Sequence, residues 1–134
     1  MSLDQAIFDF VSGIEPELHW GRAPSPAPDL PYAVMDPLNG VVAEYDSEHT
    51  ATENVTLRLH VWGNELDAVR AKMLAIEKAT LFHEGEISEP NVKVLSVTKS
   101  ADELMLDPDR DAQGDEVWHG VIDFTLLVAR TPGY

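Results

Sequence analysis

The sequence predicts an α+β domain, a mostly antiparallel β-sheet packed by two helices, and three observations lead to it. Apolar residues recur at helical spacing in two separate stretches, one near the N-terminus and one after residue 64. Strict period-two alternation marks Val55–Val61, and a long apolar-faced stretch closes the chain. Only the second helix lies between strands as a crossover. Most other connections carry hairpin signals, which favours antiparallel pairing.

Taken in order, Ser2-Leu-Asp-Gln5 has the form of a capping box. Leu3, Ile7, Phe10, Val11 and Ile14 then predict an amphipathic helix to about Gly13. Leu18-His-Trp20 reads as a short strand. Pro24, Pro26, Pro28 and Pro31 exclude helix and sheet ladder from the next stretch, a stiff surface connector. Tyr32–Leu38 reads as a strand broken at Pro37, with Asn39-Gly40 as a hairpin turn and Val41–Ala43 starting the return strand. Glu44–Asn54 is polar and acidic, and reads as a loop or flared hairpin tip.

Val55, Leu57, Leu59 and Val61 then form the buried face of a strand that ends at Gly63, with Asn64 as the N-cap of the second helix. That helix turns Leu66, Val69, Met73, Ile76 and Thr80 to one side. Gly85–Pro90 is a turn region. Val92–Ser100 lacks clean alternation and reads as a strand covered on both faces, which Leu104–Leu106 continues or restarts. Asp107–Glu116 is an acidic loop. Along Val117–Arg130, Trp118, Ile122, Phe124, Leu126 and Val128 share a face.

A chain of 134 residues fits one domain, and no internal repeat divides it. Its formal charge is −15, from 24 acidic and 9 basic residues. Such a surface repels phosphate backbones and anionic headgroups, which disfavours nucleic-acid and membrane binding. The absence of cysteine removes disulfides, thiolate metal sites and cysteine nucleophiles. Met1–Val11 contains Asp4 and Asp9 and no Lys or Arg, unlike a secretory signal, and no apolar run reaches the ~20 residues of a membrane span. Synthesis in the cytoplasm is the expectation.

Candidate chemistry is sparse. Asp107, Asp109 and Asp111 imitate positions 1, 3 and 5 of an EF-hand loop, but Ala112 and Trp118 stand where Gly and Glu are required. A solvated hairpin tip is the plainer reading, with a small acidic metal- or ligand-binding domain as the alternative. No pair of His19, His49, His60, His83 and His119 has a ligand spacing, although His60 and His119 lie in strands that would let them meet across the sheet. Neither a GxSxG elbow nor a Gly-rich phosphate loop is present, so no catalytic set, metal or cofactor is assigned. Trp62 falls on the face opposite Val55–Val61, either packed under the second helix or serving as an interface anchor.

Four pieces carry a resemblance spanning nearly the whole chain. The first helix leads through the proline connector to Leu30-Pro-Tyr-Ala-Val-Met-Asp36. A strand ending in Val61-Trp62 is followed at once by the helix from Glu65 to Leu81. Leu104-Met-Leu-Asp-Pro-Asp109 and Val117-Trp-His-Gly-Val-Ile-Asp-Phe124 complete the set. In order and spacing the chain resembles the tail terminator, or tail-completion, proteins of long-tailed bacteriophages and gene transfer agents. The departure is Asp107–Glu116, longer and more acidic than the turn expected there.

The resemblance implies a structural role without catalysis. It implies a ring, typically of six copies, at the head-proximal end of the tail tube, which stops tube growth and presents a surface to the head connector. Partners would be further copies of the chain, the tube protein and a connector or neck protein, with DNA passing through the lumen. Sheet edges, or helix against sheet, would supply a head-to-tail contact. The polar stretch Glu44–Asn54 is the expected reach to tube or lumen. Expected interface residues are Glu44, Tyr45, Asp46, Glu48 and Glu53, with Trp62, Asp109 and Asp111. A head-completion, neck or minor tail protein of the same particle is the nearest alternative.

Overall fold

A computed structural model describes residues 3–21, 31–45, 51–81, 85–86, 92–106 and 117–130. Helix α1 (Leu3–Ile14) buries Ala6, Ile7 and Val11 completely, and its C-terminal end is closed by the Glu15 amide donating to the Val11 carbonyl. Pro16 then prevents its continuation. Helix α2 (Leu66–Leu81) buries Val69, Met73, Ile76 and Thr80, the stripe that its spacing predicts. Its first helical hydrogen bond runs from the Val69 amide to the Glu65 carbonyl. Glu65, one residue beyond Asn64, therefore holds the cap position.

The strands form one sheet: β1 (Leu18–Trp20), β2 (Tyr32–Met35), β3 (Asn39–Tyr45), β4 (Ala51–Gly63), β5 (Gly85–Glu86), β6 (Val92–Leu106) and β7 (Trp118–Arg130). The order is β1-β2-β4-β7-β6-β5, with β3 also on β4, and every pairing except β1 with β2 is antiparallel. Both helices lie on one face. There Val55, Leu57, Leu59 and Val61 of β4 meet Ile122, Phe124, Leu126 and Val128 of β7, together with Ala6, Ile7 and Val11 from α1 and Val69, Met73 and Ile76 from α2. Each Val, Leu, Ile, Met or Phe side chain among them contributes about 1.5–3 kcal/mol by leaving water. The α+β class and the two helices stand as the sequence predicts.

Two local expectations are corrected and one is narrowed. Asn39-Gly40 is not a turn. β2 pairs with the Leu59–Trp62 end of β4 and β3 with its Ala51–Thr56 end, so the two follow one another along a single edge of β4. Pro37, lacking an amide proton, interrupts that line without reversing it. Glu44–Asn54 has the paired ends of the hairpin reading rather than being a loop throughout, since Glu44 pairs with Thr52 and Tyr45 with Ala51. β6 is not covered on both faces. It buries only Val94 among its described side chains, while Val97 and Leu104 are half-buried. Its irregular pattern comes from two bulges, at Val94/Ser96 and Lys99/Ala101, each of which resets the alternation. The Ser2 side of the capping box, residues 22–30 of the proline run and the Asp107–Glu116 loop lie outside the described residues.

Two glycines admit α2 to the sheet. A methyl on Gly120 would meet the flexible Met73 side chain, and one on Gly63 would come within 2.6 Å of the Val69 Cγ2. Val69 is β-branched and fully buried, so it has no room to yield. Gly63→Ala is expected to cost about 1–3 kcal/mol in a urea unfolding curve, and Gly120→Ala less, because Met73 adapts.

Candidate functional site

The face of the sheet turned away from the helices carries the most structured polar cluster. Trp62 and His119 are direct partners in the β4–β7 register, and Tyr32 pairs with Trp62 in the β2–β4 register. Their rings stack, Trp62 on His119 at 4.4 Å and on Tyr32 at 5.2 Å. His60, two residues before Trp62 and therefore on the same face, places Nδ1 2.9 Å from His119 Nε2 and Nε2 2.9 Å from Asp36 Oδ2. An ionised Asp36 only accepts, so His60 donates through Nε2. A neutral His60 then accepts at Nδ1 from His119. Sequence reasoning anticipated that the two histidines meet. It missed Asp36, which reaches the pair because β2 continues along β4, where the Asp36 amide donates to the Arg58 carbonyl.

Beside this cluster a groove of about 400 Å³ is lined by Arg58, His60, Glu103, Val121 and Asp123 among others. Arg58 grips Asp123 with two hydrogen bonds, Nε–Oδ1 at 2.8 Å and Nη2–Oδ2 at 2.9 Å. That grip holds the Asp123 carboxyl below its ordinary value and raises the Arg58 guanidinium further. A depressed carboxyl stabilises the fold above its unfolded pKa, and the contribution is lost as pH falls through the folded value. Arg58 is half exposed, so the pair contributes less than about 1 kcal/mol. Asp123→Asn is expected to lower the urea midpoint slightly at pH 7, and the difference from the parent chain should shrink as pH falls below about 4.

Among the described residues no group of three or more His, Asp or Glu is placed to hold a metal ion. No helix among them is long and apolar enough to cross a membrane.

The expected interface residues separate. Trp62 stands on the open face, so packing beneath α2 is excluded for it. Glu53 is buried at 5% exposure within β4, paired with Val42. It is therefore not part of an exposed tip. Glu44 and Tyr45 form the last pairs of β3, and Asp46, Glu48, Asp109 and Asp111 lie outside the described residues.

A second surface was missed altogether. Among the described residues the exposed large apolar side chains are Trp20, Leu74, Leu95, Met105 and Leu106; three of them are on β6, and Leu74 lines the groove between α2 and β6. Leu104-Met-Leu106 contained the signal, because three consecutive apolar residues in a strand cannot all face one core.

The family model described as tail completion protein gp17 matches residues 4–129, nearly the whole length just described. The chain belongs to the tail completion protein gp17 family. No curated protein matches the sequence. Among solved structures, a chain from a "Virion of native gene transfer agent (GTA) particle" superposes with a TM-score of 0.65 at 12% identity, covering 96% of this chain and 95% of that one. At that identity the likeness concerns the fold. Family membership assigns the chain a structural role in a phage-type tail, as the sequence resemblance implied.

Proposed function

We propose that this tail-completion protein forms a ring of six copies on the head-proximal end of the tail tube, ends tube polymerisation and presents the surface to which the head connector binds. The observation that carries this reading is the family match over residues 4–129. The superposition on a chain of a gene transfer agent virion is in keeping with it. The fold supports self-association: one sheet has helices on a single face, while its other face bears stacked aromatic and imidazole rings. On that open face the charged side chains described are Arg58, Glu103 and Asp123 on β4, β6 and β7 and Asp36 at the end of β2, in a chain of net charge −15. Depletion of charge with enrichment of aromatics is typical of the core of a protein interface. The acidic remainder suits a lumen that lets DNA pass without holding it.

In this reading the β3–β4 connection, with Glu44, Asp46 and Glu48, reaches the tube or the lumen, and Glu53 supports it from inside the fold. Reversing those three charges is expected to impair tail attachment or DNA passage. Unchanged infectivity or transfer would remove this role from the connection. For the ring as a whole, purified protein is added to polymerising tube subunits. Tube length should fall as the ratio of this chain to tube subunit rises, and native mass spectrometry should find six copies at the capped ends. Growth indifferent to the added protein would reject the terminator reading, and head joining without length control would assign a neck role instead.

A further inference from the structure

We infer that the seam between neighbouring copies is a strand-to-strand junction, the outer edge of β6 in one copy pairing antiparallel with the outer edge of β3 in the next. This rests on the ring reading and says which surfaces make it. Among the described residues, β6 is paired along its whole length with β7 on one side, but on the other only at Lys93 and Val94, with β5. From Leu95 to Leu106 its outer edge has no strand partner among those residues, a run of about 40 Å at ~3.3 Å per residue. β3 pairs with β4 on one side, and no described strand pairs with its other side. Among the described strands, one sheet thus offers free edges at opposite borders.

Two features favour a copy of this chain as the occupant over solvent. Edges that must stay unpaired are kept short or charged. This one is long, and Leu95, Met105 and Leu106 on it are exposed, with Leu74 of α2 beside the adjoining groove. Its charges are partly committed already, Lys99 being held by Glu77 and Asp102. The second feature is direction. β3 and β6 run opposite ways across the sheet, because each step β3–β4–β7–β6 is antiparallel. Rotation about a ring axis leaves each strand's sense along that axis unchanged, so strands that run along it bring β6 of one copy antiparallel to β3 of the next and the sheet continues across the junction. Two different edges in contact make a heterologous interface, the kind that closes into a ring when the rotation allows. Bulges in both strands, at Val42/Glu44 and in β6, supply curvature where closure needs it.

The cysteine-free chain makes a clean test, since every thiol introduced is unique. Chains carrying one thiol on each edge, Thr98→Cys with Val41→Cys or Val42→Cys, and the same series from Ser96→Cys and Ser100→Cys, are oxidised in assembled tails and as purified protein. Circular dichroism keeps only variants that retain the parent spectrum. The inference expects a ladder of covalent multimers ending at the ring size, with the best β3 partner moving toward Asn39 as the β6 thiol moves toward Ser100. Single-thiol chains should stay uncrosslinked. Efficient dimers from Thr98→Cys alone would mean a twofold β6–β6 contact and overturn the seam. Rings of native mass with no β6–β3 crosslink at any pair would also overturn it while leaving the ring reading intact. Absence of rings on tails as well as in solution would defeat both.

Discussion

Phe124→Ala is expected to destabilise the fold by about 3–5 kcal/mol, measured as a shift in the midpoint of urea unfolding. Phe124 is fully buried at the middle of β7, opposite Leu57 on β4 and Lys99 on β6. It belongs to the core that both helices cover. Truncation removes the apolar transfer energy of the ring and leaves a cavity walled on one side by β4, whose register with β7 is unbroken, so little collapse is available. A domain of this size is stable by about 5–15 kcal/mol in total, so the variant should sit near the edge of folding at 37 °C. Phe124→Leu, which keeps most of the volume, should recover more than half of the loss.

Lys72→Met is expected to cost about 2–4 kcal/mol by the same measurement, despite replacing a charge with an apolar side chain. Lys72 of α2 places its ammonium 2.6 Å from Oε2 of Glu15, just after α1, and Glu15 Oε1 accepts from the Glu17 amide. The Glu15 side chain is only 7% exposed, whereas Lys72 is 20% exposed. The carboxylate is therefore the buried partner, and removing the lysine strands its charge between the helices. Removing both charges should be milder. Glu15→Gln with Lys72→Met is expected to be more stable than Lys72→Met alone, because the amide keeps an acceptor for Glu17 without an unpaired charge. If the double variant is instead the sum of the two single losses, the pair is not coupled and the helices are held by apolar packing alone.

The parts of the fold that were legible in the sequence are those decided by local pattern. The alternation over Val55–Val61 and the stripe Val69, Met73, Ile76 and Thr80 each have one face in the core, so periodicity reported burial directly. The parts that were not legible are decided by long-range pairing. Asn39-Gly40 carries a strong turn signal, yet β4 extends far enough to take both β2 and β3 on one edge, and the ladder overrides the dipeptide. Polar composition at Thr52, Glu53 and Asn54 hid the first residues of β4 for the same reason. The two bulges of β6 broke its alternation, so an edge strand with little burial read as one covered twice.

The candidate site divides in the same way. That His60 and His119 meet followed from placing both in strands, whereas Asp36 joins them only because β2 runs along β4. The exposed edge of β6 was hidden because exposure depends on which strand stands at the border of the sheet, and no residue of β6 states that by itself. The tail family was legible in the order of four segments, each ordinary alone, and the family match spans all four.

Whether the chain ends tube growth is decided by electron microscopy of particles produced after deletion of this gene from the phage or gene-transfer cluster that encodes it. A tail terminator predicts overlong tubes without heads, restored to uniform length by the parent chain. Tails of normal length lying beside unattached heads would show that the chain does not end tube growth.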